Sequence, residues 1–372
     1  MKILILHASA GAGHKRAAEA IATAIKSAHP ECVFEVRDIL DFTSSLFKRT
    51  YGQGYLDLVR TAPELWGYMY SLSDKNTSGK HEKKIRALFN KLSTLPFKKF
   101  LNEFQPDAVI CTHFMPLEIL STLKTKGGSN AKIHCVITDF AVHALWLVDN
   151  VDHFYVCNED ARRFLIRKGY APEKVHVTGI PIDPVFAQKI TSAMARKKIG
   201  LDPNTPTALL MTGGFGVGPS AELLGSFKET ETKCQIIMVA GKNEDLKKKA
   251  DASAKAMKIP VKVFGFVSNI HELMDAADVV ITKPGGLTTS EVLAKGKPMI
   301  IIDPIPGQEQ RNCEFLLENG AALRLHEVED AAYKVGALLS NTTRLNAMKK
   351  SSLTLAKPQA AADIVNIVFQ DI

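Results

Sequence analysis

One pattern constrains this 372-residue chain more than any other: a short apolar run, a glycine turn and a helix-like stretch, repeated from end to end. Apolar runs of that kind, alternating with helical segments, form parallel strands covered on both faces by helices. The pattern occurs in two series. The first has apolar runs at 3–6, 33–36, 108–111, 133–137, 154–157 and 175–177; the second has them at 208–211, 236–239, 261–264, 279–281 and 299–302. Between the series, Gly179-Ile180-Pro181-Ile182-Asp183-Pro184 is broken by two prolines and reads as a linker. The expected class is therefore α/β, with two doubly wound, Rossmann-like domains facing a cleft. The expected domains are 1–184 and 185–357, with a terminal helix over 358–372 that could pack back on the first. Helix punctuation agrees: Asn158 can cap a helix that opens on Glu159 and Asp160 and closes on Arg167 and Lys168 before Gly169.

A composition of 46% hydrophobic and 23% charged residues excludes disordered, collagen-like and disulfide-scaffold chains. No apolar run approaches the roughly 18–20 residues that cross a bilayer. Met1 leads straight into the first apolar run, so no secretory leader is expected. The six cysteines form no C-x-x-C pair, and reduced thiols in a cytoplasmic protein are the expectation. The net charge of +8 is unevenly placed. Residues 44–100 alone hold 11 basic and 4 acidic residues, together with nine of the 27 aromatics. They lack strand alternation and are expected to form a helical insertion. Basic and aromatic residues interleaved in this way suit an anionic surface, lipid headgroups or nucleic acid. The segment carries no nucleic-acid recognition motif, which favours the lipid surface.

The glycine turns hold the candidate chemistry. Ala10-Gly11-Ala12-Gly13-His14 leads into a helix, where small residues let the backbone approach a ligand and free N–H groups face an anion. A dinucleotide fingerprint with Asp38 as its ribose acid fails, because its third glycine falls on Arg16. His14 is the informative residue. A helix N-terminus holds an imidazole neutral, which suits a general base, although a local packing role is the simpler reading of the turn alone. In the second series Gly213 and Gly214 open one turn, and Lys283-Pro284-Gly285-Gly286-Leu287-Thr288-Thr289-Ser290-Glu291 opens a helix. Glu291 could accept hydrogen bonds from a ribose diol or simply complement the helix dipole. Gln308, Glu309 and Asn312 cluster where sugar hydroxyls could be bound. The chain contains no D-x-D, so no carboxylate-held metal is expected. Helix termini and Lys242 or Lys283 would then meet a diphosphate's charge.

Six blocks together resemble glycosyltransferase family 28, and within it the branch of monogalactosyldiacylglycerol synthases and processive diacylglycerol glucosyltransferases. They are HASAGAGHKRAAEAI (7–21), VITDFAVHALW (136–146), VTGIPI (177–182), VAGKN (239–243), ITKPGGLTTSE (281–291) and PGQEQRN (306–312). The resemblance runs through nearly the whole chain in order. It implies the GT-B fold, a UDP-sugar donor in the C-terminal domain, a diacylglycerol acceptor on the N-terminal domain, and inversion at the anomeric carbon without a cofactor or required metal. It implies that His14 is the base, and the glycine turns and charge described above set Gly13, Gly213, Gly214 and Lys242 at the donor. It gives Gly285, Gly286 and Thr288 the diphosphate and Glu291 the ribose. Gln308, Glu309 and Asn312 would hold the donor sugar, and Phe266 and Val267 would lie at the uracil. Asp139 and His143 match a block that could orient His14 or the acceptor. Trp66, Lys80, Lys83, Lys84, Arg86 and Trp146 are the expected membrane and acceptor contacts, placing the enzyme peripherally on the inner face of the cell membrane. Two enzymes of the same fold class remain as rivals at this point: a UDP-N-acetylglucosamine 2-epimerase, and a transferase acting on a polyprenyl-linked acceptor. A nucleotide-sugar-sensing regulatory protein is the non-enzymatic rival. The 44–100 insertion speaks against the epimerase, which needs no element facing a membrane.

Overall fold

The computed structural model describes residues 1–9, 11–45, 47–51, 95–211 and 220–372, with residues 54, 61, 62, 64, 65, 67, 68 and 74 between them. Packing divides the chain into two units. One comprises Met1–Pro184, Pro306–Gln308 and Lys357–Ile372; the other comprises Val185–Ile305 and Glu309–Ala356.

The first unit contains a six-stranded parallel sheet in the order β2-β1-β3-β4-β5-β6. Its strands are β1 (Lys2–His7), β2 (Val33–Asp38), β3 (Ala108–Cys111), β4 (Lys132–Val136), β5 (His153–Val156) and β6 (Val175–Val177). β3 is Ala-Val-Ile-Cys, buried at every position, because helices cover both faces of the sheet. On one face Ile3, Ile5, Ala108 and Tyr155 pack with Ile21 and Ile25 of the helix Gly13–Ala28 and with Ile364, Val365 and Val368 of the helix Ala360–Asp371. The other face buries Leu4, Leu6, Val109 and Phe154 with Phe97, and Phe47 and Tyr51 pack against that cluster. Asn158 caps its helix as its sequence implies, its Oδ1 accepting from Ala161 N at 2.8 Å, and Gly169 closes it with φ 97°.

The second unit repeats the design with the order β12-β11-β10-β7-β8-β9. Its strands are β7 (Thr207–Met211), β8 (Gln235–Val239), β9 (Val261–Phe264), β10 (Val279–Thr282), β11 (Met299–Ile301) and β12 (Ala322–Arg324). Sequence reading missed β12. It has three residues, of which only Ala322 is buried, so it carries no apolar run; pairing with β11 makes it a strand. In an open parallel sheet, ligands sit beyond the carboxyl ends of the strands where the winding order reverses. That point falls between β1 and β3 in the first sheet and between β7 and β10 in the second.

Gly179, just past β6, illustrates how closely the last helix approaches. Its φ is +94°, and a Cβ there would lie 2.3 Å from Lys357 Cβ and 3.3 Å from Ala360 Cβ. Gly179→Ala should therefore lower unfolding stability by about 2–4 kcal/mol, from the left-handed backbone and the overpacking together. A urea titration showing an unchanged midpoint would refute this close approach.

Candidate functional site

In the first unit the reversal point carries His14. It is the second residue of the helix Gly13–Ala28, which follows the turn after β1. Ala12 at the N-cap has no side chain to bond the first-turn N–H groups, and Gly11 turns the chain with φ 91°. The His14 ring is held from the ends of the neighbouring strands: Nδ1 lies 2.7 Å from the main-chain oxygen of Thr112, just past β3, and 3.0 Å from Thr138 Oγ1, just past β4. The His113 ring stands edge-on to it at 4.6 Å. Removal from water pushes the His14 pKa down to about 4, against the Thr112 hydrogen bond, with a smaller lowering from His7. His14 is therefore neutral at physiological pH.

Asp38, the acid of the failed dinucleotide reading, bonds Leu40 N at 3.0 Å and so caps a 3-10 turn. His7, at the end of β1 and paired in register with Asp38, is buried, with its Nδ1 unpartnered. Burial also lowers its pKa. Neither His7, His113, Thr112 nor Thr138 stands out in the sequence. The two threonines lie 98 and 124 residues from His14, and only the strand order brings them to it.

Asp139 is buried past β4, and within this unit Gln308 Nε2 donates to its Oδ1 at 2.6 Å. His143 is buried as well; its Nδ1 accepts from Leu145 N at 3.1 Å and its Nε2 lies 3.9 Å from Asp74 Oδ1. The expectation for Trp146 needs correcting. It is 3% exposed and packs edge-on to Phe114 in the core, so its indole supports the sheet and is not presented at a surface.

In the second unit the loop after β10 meets the helix Gly286–Ala294 at its N-terminus, with Gly285 as the N-cap. The N-cap glycine has no side chain to bond the first turn, so the backbone around Gly285, Gly286 and Thr288 can present N–H groups to an anion. Glu309 stands over the loop. Its Oε2 accepts from Ile305 N at 2.9 Å, and its Oε1 would lie 3.7 Å from a Cβ placed on Gly285. Asn312 is fully buried, and its Nδ2 donates to the Pro284 carbonyl at 3.0 Å. It thus fixes the loop, whereas sequence reading set it directly against the sugar. Glu291, one turn into the same helix, is 2% exposed. Lys283 is paired with Asp303 at 3.1 Å.

Past β9, the Phe266 ring is 65% exposed with Lys242 Nζ 5.4 Å from its centre, an aromatic face open to a planar ligand. Val267, beside it, is half-buried. Gly213, Gly214, Trp66, Lys80, Lys83, Lys84 and Arg86 lie outside the described residues.

Two anion-ready helix ends and a neutral histidine thus lie at the sheet reversal points. Residues 14–182 match the model of monogalactosyldiacylglycerol (MGDG) synthase, and residues 221–366 match the glycosyltransferase family 28 C-terminal domain. A Bacillus cereus protein named processive diacylglycerol beta-glucosyltransferase is 31% identical over 379 residues, spanning 100% of this chain and 94% of its own. The chain belongs to glycosyltransferase family 28. Among solved structures, Acinetobacter baumannii MurG superposes on this family 28 protein with a TM-score of 0.67 at 14% identity, over 99% of both chains. Anabaena HepE in complex with UDP and glucose gives 0.54 at 15% identity, over 100% of this chain and 98% of its own. The expected GT-B class therefore stands, and the chain is a glycosyltransferase.

Proposed function

We propose that this glycosyltransferase moves a hexose from a UDP-sugar to diacylglycerol and forms a β-glycosyldiacylglycerol. The observation that carries the proposal is the match along the full chain to relatives named for that transfer, at 30–31% identity for the Bacillus pumilus and Bacillus cereus proteins. The neutral His14 adds the chemistry, because a lipid hydroxyl is a poor nucleophile until its proton is removed. In the proposed step His14 takes that proton as the hydroxyl oxygen bonds to the anomeric carbon. The bond from that carbon to the diphosphate breaks on the opposite face, UDP departs with the electron pair, and the configuration inverts.

Charge growing on the diphosphate is met by the N–H groups of the helix Gly286–Ala294, which point at their ligand without reorganising. Phe266 and Val267 receive the base, Glu291 the ribose, and Gln308 and Glu309 the sugar, while Asp139 holds Gln308 in place. No metal is required in this scheme, so turnover should persist in EDTA; loss of turnover restored by added Mg²⁺ would refute that part. No described helix is long and apolar enough to cross a membrane, and we assign the protein to the inner membrane face as a peripheral enzyme.

Incubation with diacylglycerol and each UDP-sugar in turn, with mass analysis of the lipid, tests the whole. A lipid product heavier by one or more hexoses is expected. A UDP-sugar consumed with no glycosylated lipid would overturn the acceptor. Glu291→Ala should weaken UDP binding about 10-fold or more, since a charged hydrogen bond to ribose is made equally in ground and transition states. Calorimetry with UDP reads this directly, and unchanged affinity would leave Glu291 a helix-end acid only.

A further inference from the structure

The two nitrogens of the His14 ring are not equivalent. Nδ1 lies 2.7 Å from the Thr112 main-chain oxygen, and a carbonyl can only accept, so the ring must donate there. Were Nδ1 unprotonated, two lone pairs would face each other at that distance. Thr138 Oγ1, at 3.0 Å, shares the same N–H as a second acceptor. A neutral imidazole has one N–H, so Nε2 is left with its lone pair. Thr112 also reaches the helix in the opposite sense: its hydroxyl lies 2.9 Å from the His14 main-chain oxygen and donates to it. One residue past β3 therefore grips both the ring and the backbone of His14.

The ring is also confined from the side. The His113 ring is edge-on at 4.6 Å, and His113 Nδ1 accepts from Met115 N at 3.1 Å, which fixes that imidazole in turn. Burial holds His113 neutral as well, so no second charge competes at the site.

We propose that Thr112 is a positioning residue that locks His14 in the Nδ1–H tautomer and leaves Nε2 as the nitrogen that takes the acceptor's proton. This rests on the reading of His14 as the base. A neutral imidazole free in water carries its proton mainly on Nε2, the tautomer that could not accept there. Without the clamp, part of the population would be unreactive and the ring would lose its orientation. The division of labour is specific: the carbonyl sets the tautomer, and the hydroxyl holds the helix N-terminus at the distance that keeps the carbonyl in reach.

The tautomer is measured on the resting protein, with no substrate, by long-range proton–nitrogen correlation of ¹⁵N-labelled histidine at pH 7, with His14→Ala giving the assignment. Protonated Nδ1 with unprotonated Nε2 is the expected pattern. The reverse pattern would overturn the proposal whatever His14 does in turnover. In a second arm, Thr112→Val keeps the carbonyl and loses the hydroxyl; kcat should fall about 10-fold with KM for the UDP-sugar unchanged, the size expected for one lost hydrogen bond. Thr112→Ser, which keeps both bonds, should restore most of kcat. Equal loss in the serine and valine variants, or none in valine, would remove the Thr112 hydroxyl from the positioning of His14, while the reversed nitrogen pattern would remove the carbonyl. Retained turnover in His14→Ala would instead remove the base reading, and the nitrogen spectrum would still report whether the clamp exists.

Discussion

His14→Ala should lower kcat by about 10²–10⁴-fold, the usual worth of general base catalysis, while UDP-sugar binding stays near normal. The expectation depends on His14 being neutral and held at the same time. Burial brings its pKa down to about 4, so the ring is ready to accept a proton throughout the neutral range. A base in that state loses function only when it is protonated. The acid limb of kcat/KM should accordingly fall as pH drops through about 4, well below the 6.5 of an ordinary histidine. Calorimetry on the alanine variant separates the donor from the chemistry: the donor contacts proposed above lie on other elements and remain. A folded variant with near wild-type turnover would take His14 out of the mechanism. An acid limb near 6.5 would show that burial does not lower the His14 pKa in the working enzyme.

Changing Lys80, Lys83, Lys84 and Arg86 together to Gln should weaken binding to anionic vesicles by about two to three orders of magnitude. The estimate follows from about 1 kcal/mol for each basic residue near an anionic surface, reduced by screening at physiological salt. The physical need for docking comes from the acceptor. Acyl chains leave the bilayer at a cost of about 0.8 kcal/mol per CH₂, so an enzyme acting on diacylglycerol must come to the surface. The same stretch supplies apolar side chains to accompany the charges: Leu65, Tyr68 and Leu95 are all exposed. Phe47 and Tyr51 do pack on the first unit's core, and Phe97 is buried in it, which ties both ends of residues 44–100 to the sheet. Activity on a detergent-dispersed acceptor should fall far less than vesicle binding, since none of the substituted residues is among the proposed catalytic groups. Equal sedimentation of both proteins with anionic vesicles at low salt would show that another surface docks.

How much of this was legible in the sequence differs between the fold and the site. Eleven of the twelve described strands announced themselves by an apolar run, most plainly where helices cover both faces and the strand is apolar throughout, as in Ala-Val-Ile-Cys of β3 and Leu-Leu-Met at the end of β7. β12 did not, since three residues at a sheet edge need no apolar run. Asn158 and its following acids fixed a helix start, and the glycine turns marked where strands end. These are local signals, carried by residues that are neighbours along the chain.

The site is not local. Sequence singled out His14 but could not say what holds it, because Thr112 and Thr138 follow β3 and β4, whose places on one side of β1 are set by the winding order. Trp146 read as a membrane or acceptor contact, and the structure buries it against Phe114. Asn312 read as a sugar contact, and its amide is used to hold the Pro284 carbonyl. The sequence by itself determined the alternation of strands and helices, the positions of the turns and the residue types able to do the chemistry, since each follows from periodicity, backbone freedom or side-chain chemistry within a few residues. Only the tertiary structure decided which of those side chains are buried, which pair, and which nitrogen of His14 bears the proton. Burial and hydrogen-bond partners are properties of residues about a hundred positions apart in the chain, brought together by the order in which the strands pack.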